Sequence, residues 1–133
     1  MKISEKAIKN NLFKLNITTS PTVIFYKICK FLSRARDSEF EKENRLFLEE
    51  YWEVHWTLFY WYGYYLYNGI GGGKDENKAI NLFKQAAFKG DEDAIDFCEK
   101  KNIEYPISEK NYLRIFKSAL KLHKEINVII KLR

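Results

Sequence analysis

Two stretches with helical spacing lie on either side of a glycine turn, and that arrangement constrains the chain more than any other feature. Apolar residues recur through Leu58, Trp61, Tyr62 and Tyr65, stop at four glycines between Gly69 and Gly73, and resume through Ala79, Leu82, Phe83 and Ala86. The pattern predicts an αα-hairpin over residues 54–94. Small residues stand where two helices approach closely, at Gly63 on the first and Ala79, Ala86 and Ala87 on the second. The ends of the second helix are marked as well: Asp75 suits an N-cap, Glu76 the positive first turn, and Lys84 and Lys89 the negative end before Gly90.

In order and spacing, Tyr62-Gly63, Gly69-x-Gly71, Asp75-x-x-Lys78-Ala79, Ala86-Ala87-x-x-Gly90 and Ala94 resemble the Sel1-like repeat family, relatives of the tetratricopeptide repeats. The chain departs from that pattern at Tyr65, Leu66 and Gly72, where the family usually has Leu, Tyr and Val. A second copy starting near Ala94 would have Glu99 in place of its glycine, so the resemblance covers one full repeat. It implies a short α-solenoid and adaptor work. Because such a unit cannot bury both faces alone, the expectation is a single all-α domain over 1–133. In it, N-terminal helices within 1–53 and capping helices within 95–133 cover the repeat.

The flanks support that division. Residues 3–15 give a first helix, with Ile3, Ala7, Ile8, Phe13 and Leu15 apolar, and Asn16 to Ser20 is a break. Ser20-Pro21 reads as an N-cap and first helical position, opening a helix with a stripe of Ile24, Ile28, Phe31, Leu32 and Ala35. From Asp37 to Glu53 acids outnumber bases seven to two, with Phe40, Phe47, Leu48, Tyr51 and Trp52 apolar. After Ala94 a short helix reaches about Lys101, a connection carries Pro106, and Ser108 opens a last helix. That helix has an apolar stripe of Tyr112, Phe116, Ala119, Leu120 and Ile126 and is expected to cap the solenoid. Its other side carries Lys110, Arg114, Lys117, Lys121 and Lys124.

Charge follows this layout: residues 1–36 carry +7, residues 105–133 carry +5, and the middle is acidic. The longest apolar-looking stretch, Val23 to Leu32, is interrupted by Lys27 and Lys30 and is too short to span a bilayer. MKISEKAIKNNLFKLN has neither an apolar core nor a cleavage pattern of small residues. A cytoplasmic protein without a membrane span is expected. Cys29 and Cys98, 69 residues apart, read as reduced core residues.

Catalytic constellations are missing from the sequence. GIGGGKD departs from a phosphate loop, since Asn68 replaces its first glycine, Asp75 replaces its Ser or Thr, and the run follows a helix. His55 and His123 are isolated, and no zinc or nucleophile motif is present. Acid clusters such as Glu49-Glu50 and Asp91 to Asp93 read as caps or solvated charge. The expectation is a non-enzymatic chain with no cofactor and no metal.

Aromatic density is the anomaly. Tyr51 to Tyr67 contains ten aromatics in 17 residues, including all three tryptophans. Leu58, Trp61, Tyr62 and Tyr65 share one side of the helix, and Tyr60, Tyr64 and Tyr67 the other. Both sides cannot pack on one neighbour. Two readings of the second side stay open: flanking helices bury it, or it lines a groove. By the tetratricopeptide resemblance the groove-facing positions are Thr57, Tyr60, Tyr64, Tyr67 and Asn68, and Tyr is a frequent interface anchor. The function this suggests is a protein–protein interaction module, and more narrowly a bacterial immunity protein that neutralises a cognate toxin. Nucleic-acid binding through the basic ends is the rival reading, weakened by the lack of a recognition motif there.

Overall fold

The computed structural model describes residues 5–131, and every regular element among them is helical. The helices are α1 (Glu5–Lys14), α2 (Pro21–Arg34), α3 (Glu41–Tyr51), α4 (Trp56–Asn68), α5 (Glu76–Phe88), α6 (Glu92–Lys100) and α7 (Glu109–Lys131), with short 3-10 turns before and after α3. The all-α expectation holds.

The hairpin of α4 and α5 is the centre of the molecule. Asp75 caps α5 by accepting from the Lys78 N–H at 3.1 Å, and α4 ends on Gly69 in the left-handed conformation (φ 66°). Small residues set the approach of the two helices. A Cβ on Gly63 would lie 3.1 Å from Phe83 Cε1 and 3.2 Å from the Ala79 carbonyl oxygen, so the helices meet where the sequence placed them. Phe83 is fully buried there, its ring 4.1 Å from that of Phe97 on α6.

The glycine turn between them lies against α3. Gly71 has φ 67°, and a Cβ there would sit 2.5 Å from the Glu41 carbonyl oxygen, which only glycine avoids. Arg45, 7% exposed, fills the turn, donating to the Ile70 carbonyl at 3.2 Å and the Gly73 carbonyl at 3.0 Å while pairing with Glu49 at 2.8 Å. A side-chain cation thus ties the carbonyls of the glycine turn to α3.

A buried polar knot joins α2, α3 and α4. The Tyr65 hydroxyl donates to the Ala35 carbonyl at 2.6 Å, and Asn44 Nδ2 donates to the Arg34 carbonyl at 2.9 Å and the Tyr65 oxygen at 3.0 Å. Tyr65 is 1% exposed and Asn44 1%, so each polar group needs these partners. The stripe of α2 is buried at Ile24, Ile28, Phe31 and Ala35, as expected. Pro21 stands at its first turn, but Ser20 makes no side-chain cap there.

Three expectations are corrected. Cys29 is exposed, because it follows Ile28 by a 100° step and leaves the buried stripe; Cys98 is buried, and both are free thiols. On α1 the core residues are Ile8 and Leu12, whereas Phe13 is 84% exposed; Ile3 lies outside the described residues. The largest difference concerns α7. Tyr112, Phe116, Leu120 and Ile126 are 43–58% exposed and Ala119 is exposed, so among the described residues this stripe is not buried as a cap.

Candidate functional site

The site begins with how α4 starts. His55 Nδ1 accepts from the Thr57 N–H at 3.1 Å and so caps the helix, while burial pushes its pKa below the usual value. A neutral ring with the proton on Nε2 satisfies both facts. The cap fixes the angular position of Trp56, Tyr60 and Trp61 one turn later.

Those rings form one wall of a groove of about 670 Å³, which also touches Leu32 at the end of α2 and Arg114 on α7. Opposite stands the α5–α6 turn, from Lys89 to Asp93. Its tightness depends on Gly90, at φ 93°, whose N–H donates to the Ala87 carbonyl at 2.9 Å while that of Asp91 donates to the Ala86 carbonyl at 3.0 Å. The turn releases Asp91 to cap α6, its Oδ2 accepting from the Ala94 N–H at 2.9 Å.

Electrostatics single out Asp91. Burial pushes its carboxyl up to about 6 against the opposing bond from Ala94, with the charges of Asp93 and Glu92 adding to the rise. Among the described residues no ion pair reaches it. Tyr60 is pushed up to about 12, first by burial and then by the Asp93 charge, with Arg36 opposing. The groove is lined by three acids, Asp91, Glu92 and Asp93, against two cations, Lys89 and Arg114.

The five residues singled out from sequence share one side of α4 but have different fates. Thr57 is 3% exposed and borders the groove, and Tyr60 is partly buried within it. Tyr64 stacks on Tyr60 with ring centroids 6.2 Å apart and borders a second hollow of about 220 Å³ shared with Arg36, Asp37 and Ile70. Tyr67 is turned inward, edge-on to Phe97 at 5.1 Å. Asn68 is exposed and donates to the Tyr64 carbonyl at 2.9 Å. The second aromatic side is thus open at its N-terminal end and covered by α6 at its C-terminal end.

Sequence reasoning missed the facing wall. Trp56 and Trp61 were visible in the aromatic run, and Asp91, Glu92 and Asp93 as an acid cluster; nothing in the spacing said that the cluster would stand across from Tyr60. Two acids of α3 make ion pairs within the chain, Glu43 with Arg34 at 3.3 Å and Glu49 with Arg45. Arg36 lies over the Trp61 ring, 5.3 Å from its centroid.

Rings and carboxylates together suit a guanidinium or an ammonium group, through cation–π and charge-assisted contact. Among the described residues there is no group of three or more His, Cys, Asp or Glu able to hold a metal ion, and no helix long and apolar enough to cross a membrane. No family model, curated protein or solved structure matches the chain.

Proposed function

We propose that this chain is a non-enzymatic protein-binding module, built on one Sel1-like hairpin, whose groove takes a basic segment of a partner protein. The observation that carries the reading is Asp91: a partly buried carboxyl that no ion pair among the described residues reaches, standing across from Trp56, Tyr60 and Trp61. Leaving such a group ionised and unpaired is unfavourable, and an incoming Arg or Lys relieves it. The reading draws on the hairpin itself, with Gly63 at the crossing, Gly69 and Asp75 at the helix ends and Gly90 in the turn that follows. Within this proposal the narrower role is that of a bacterial immunity protein, with a toxin as the partner.

The test is co-purification from the source cell, followed by titration of the recovered protein against Tyr60→Ala and Asp91→Asn. Each substitution should weaken binding by about 2 kcal/mol while the helical signal is kept. Normal binding by the folded double variant refutes the groove. Co-expression with the product of the neighbouring gene tests the narrower role: growth rescue that Tyr60→Ala abolishes supports it, and no rescue refutes it. Retained association with DNA, lost in Lys117→Glu with Lys121→Glu and steeply dependent on salt, would favour the nucleic-acid rival.

A further inference from the structure

The sequence and placement of α7 carry an inference independent of the groove. Every described side chain on this helix is exposed, and its large apolar residues are 43–62% open to solvent. A single amphipathic helix gains most of its stability from burying its apolar face. Among the described residues nothing covers that face.

Its pattern specifies what would cover it. Residues 112, 116, 119, 123, 126 and 130 step alternately by four and three, the heptad seam of a helix that packs along its whole length on another. The flanking positions Leu113, Leu120, Leu122 and Ile129 are apolar too. Five cations, Lys110, Arg114, Lys117, Lys121 and Lys124, fall on the opposite side of the helix, so none enters the seam.

We infer that α7 is the interface of a homodimer in which it pairs antiparallel with α7 of a second copy. The self-complementarity is specific. With the two-fold axis beside Lys121, Tyr112 meets Ile130 of the other copy, Phe116 meets Ile126, and small Ala119 meets larger His123. All six seam positions are thereby used. The same axis sets Leu120 against its own copy on one flank and Leu122 against its own copy on the other, and such self-pairs are what an isologous interface requires. A parallel pair would instead put Ala119 on Ala119 and His123 on His123, leaving one layer empty and the next overfilled.

Charge and size point the same way. Each chain carries a net +5, yet the five cations lie on the side of α7 away from the seam, and antiparallel pairing sets the two bodies at opposite ends of the helix pair. A 23-residue helix is about 35 Å long, and the seam from Tyr112 to Ile130 runs along most of it. An amphipathic helix with lysines on its polar face also suits an anionic lipid surface, but a lipid surface asks for no register, whereas the seam of α7 matches itself layer by layer.

Sedimentation velocity of the full chain over a concentration series tests this. A particle of twice the 15.9 kDa chain mass is expected, and Leu122→Glu, which sets like charges across the two-fold axis, should weaken association at least about 100-fold. In a Cys29→Ser background, Leu122→Cys should oxidise to a disulfide-linked dimer, whereas Tyr112→Cys and Lys117→Cys should not. A single-chain mass throughout the series, or a Leu122→Glu variant that associates like the parent, overturns the inference. So does selective cross-linking at Tyr112→Cys, which would mean parallel pairing. Binding of a monomeric chain to phosphatidylserine vesicles overturns it in favour of a lipid surface.

Discussion

Replacing Asp91 with Asn should stabilise the protein at neutral pH, although it removes a charge from a helix N-terminus. The folded carboxyl titrates at about 6 against 3.8 for an ordinary one, and each pH unit of that elevation corresponds to about 1.4 kcal/mol. The ionised form is thus disfavoured by up to about 3 kcal/mol, which partial solvent contact reduces to about 2. Asn caps as well as Asp does, and its side-chain oxygen can still accept from the Ala94 N–H. The lost charge–dipole attraction removes about 0.3–1 kcal/mol of the gain. A net stabilisation of about 1–2 kcal/mol remains, raising Tm by several degrees in a chain of this length.

The sign of the pH dependence separates this cause from others. A carboxyl whose folded pKa is raised contributes stability that is fully present below 3.8 and lost as pH rises through about 6. The advantage of Asp91→Asn should therefore be small near pH 3.8, grow between there and 6, and level off above. Taking the difference between variant and parent at each pH cancels the titration of groups not coupled to Asp91. Chemical denaturation at four or five pH values suffices. A variant less stable than the parent at pH 7, or a pH-independent difference, would refute the reasoning, because the carboxylate would then be stabilising where it stands. Confirmation would mean that the chain tolerates a destabilising charge at the groove rim, as binding sites often do.

Gly63→Leu should lose about 1–3 kcal/mol in a thermal melt, since Phe83 is held by Tyr60, Tyr67 and Phe97 and has no room to move; an unchanged Tm would mean that the helices do not cross there. Arg45→Ala leaves the Ile70 and Gly73 carbonyls without their donor and should lower stability by about 2–4 kcal/mol, with the loss read in urea and faster amide exchange at residues 70–74. His55→Ala should lose about 1 kcal/mol of helix cap at pH 8. Because the folded pKa of His55 is lowered, its contribution is present above pH 6.5 and fades as pH falls below that value, so the gap between His55→Ala and the parent should narrow in acid.

The hairpin was legible because its determinants are local. Asp75 caps by reaching three residues along its own helix, Gly69 ends α4 by its own left-handed backbone, and the period of α4 sets Tyr60 and Tyr64 on one side whatever surrounds them. Even the crossing at Gly63 follows from a small residue in a short antiparallel pair. Tertiary placement decided the rest. Whether Tyr67 lies in a groove or against Phe97 depends on where α6 docks, and α6 is positioned by a turn at Gly90 whose direction no periodicity encodes. Asp91 reads as a helix cap in one dimension and is one; only the fold sets it across from Tyr60 and desolvates it. Arg45 in the glycine turn and Asn44 against Tyr65 are 25 and 21 residues from their partners, beyond any local pattern. An amphipathic stripe states that a helix face seeks cover without stating what covers it, and so the sequence determined the apolar face of α7 while the fold left that face outside the body of the chain.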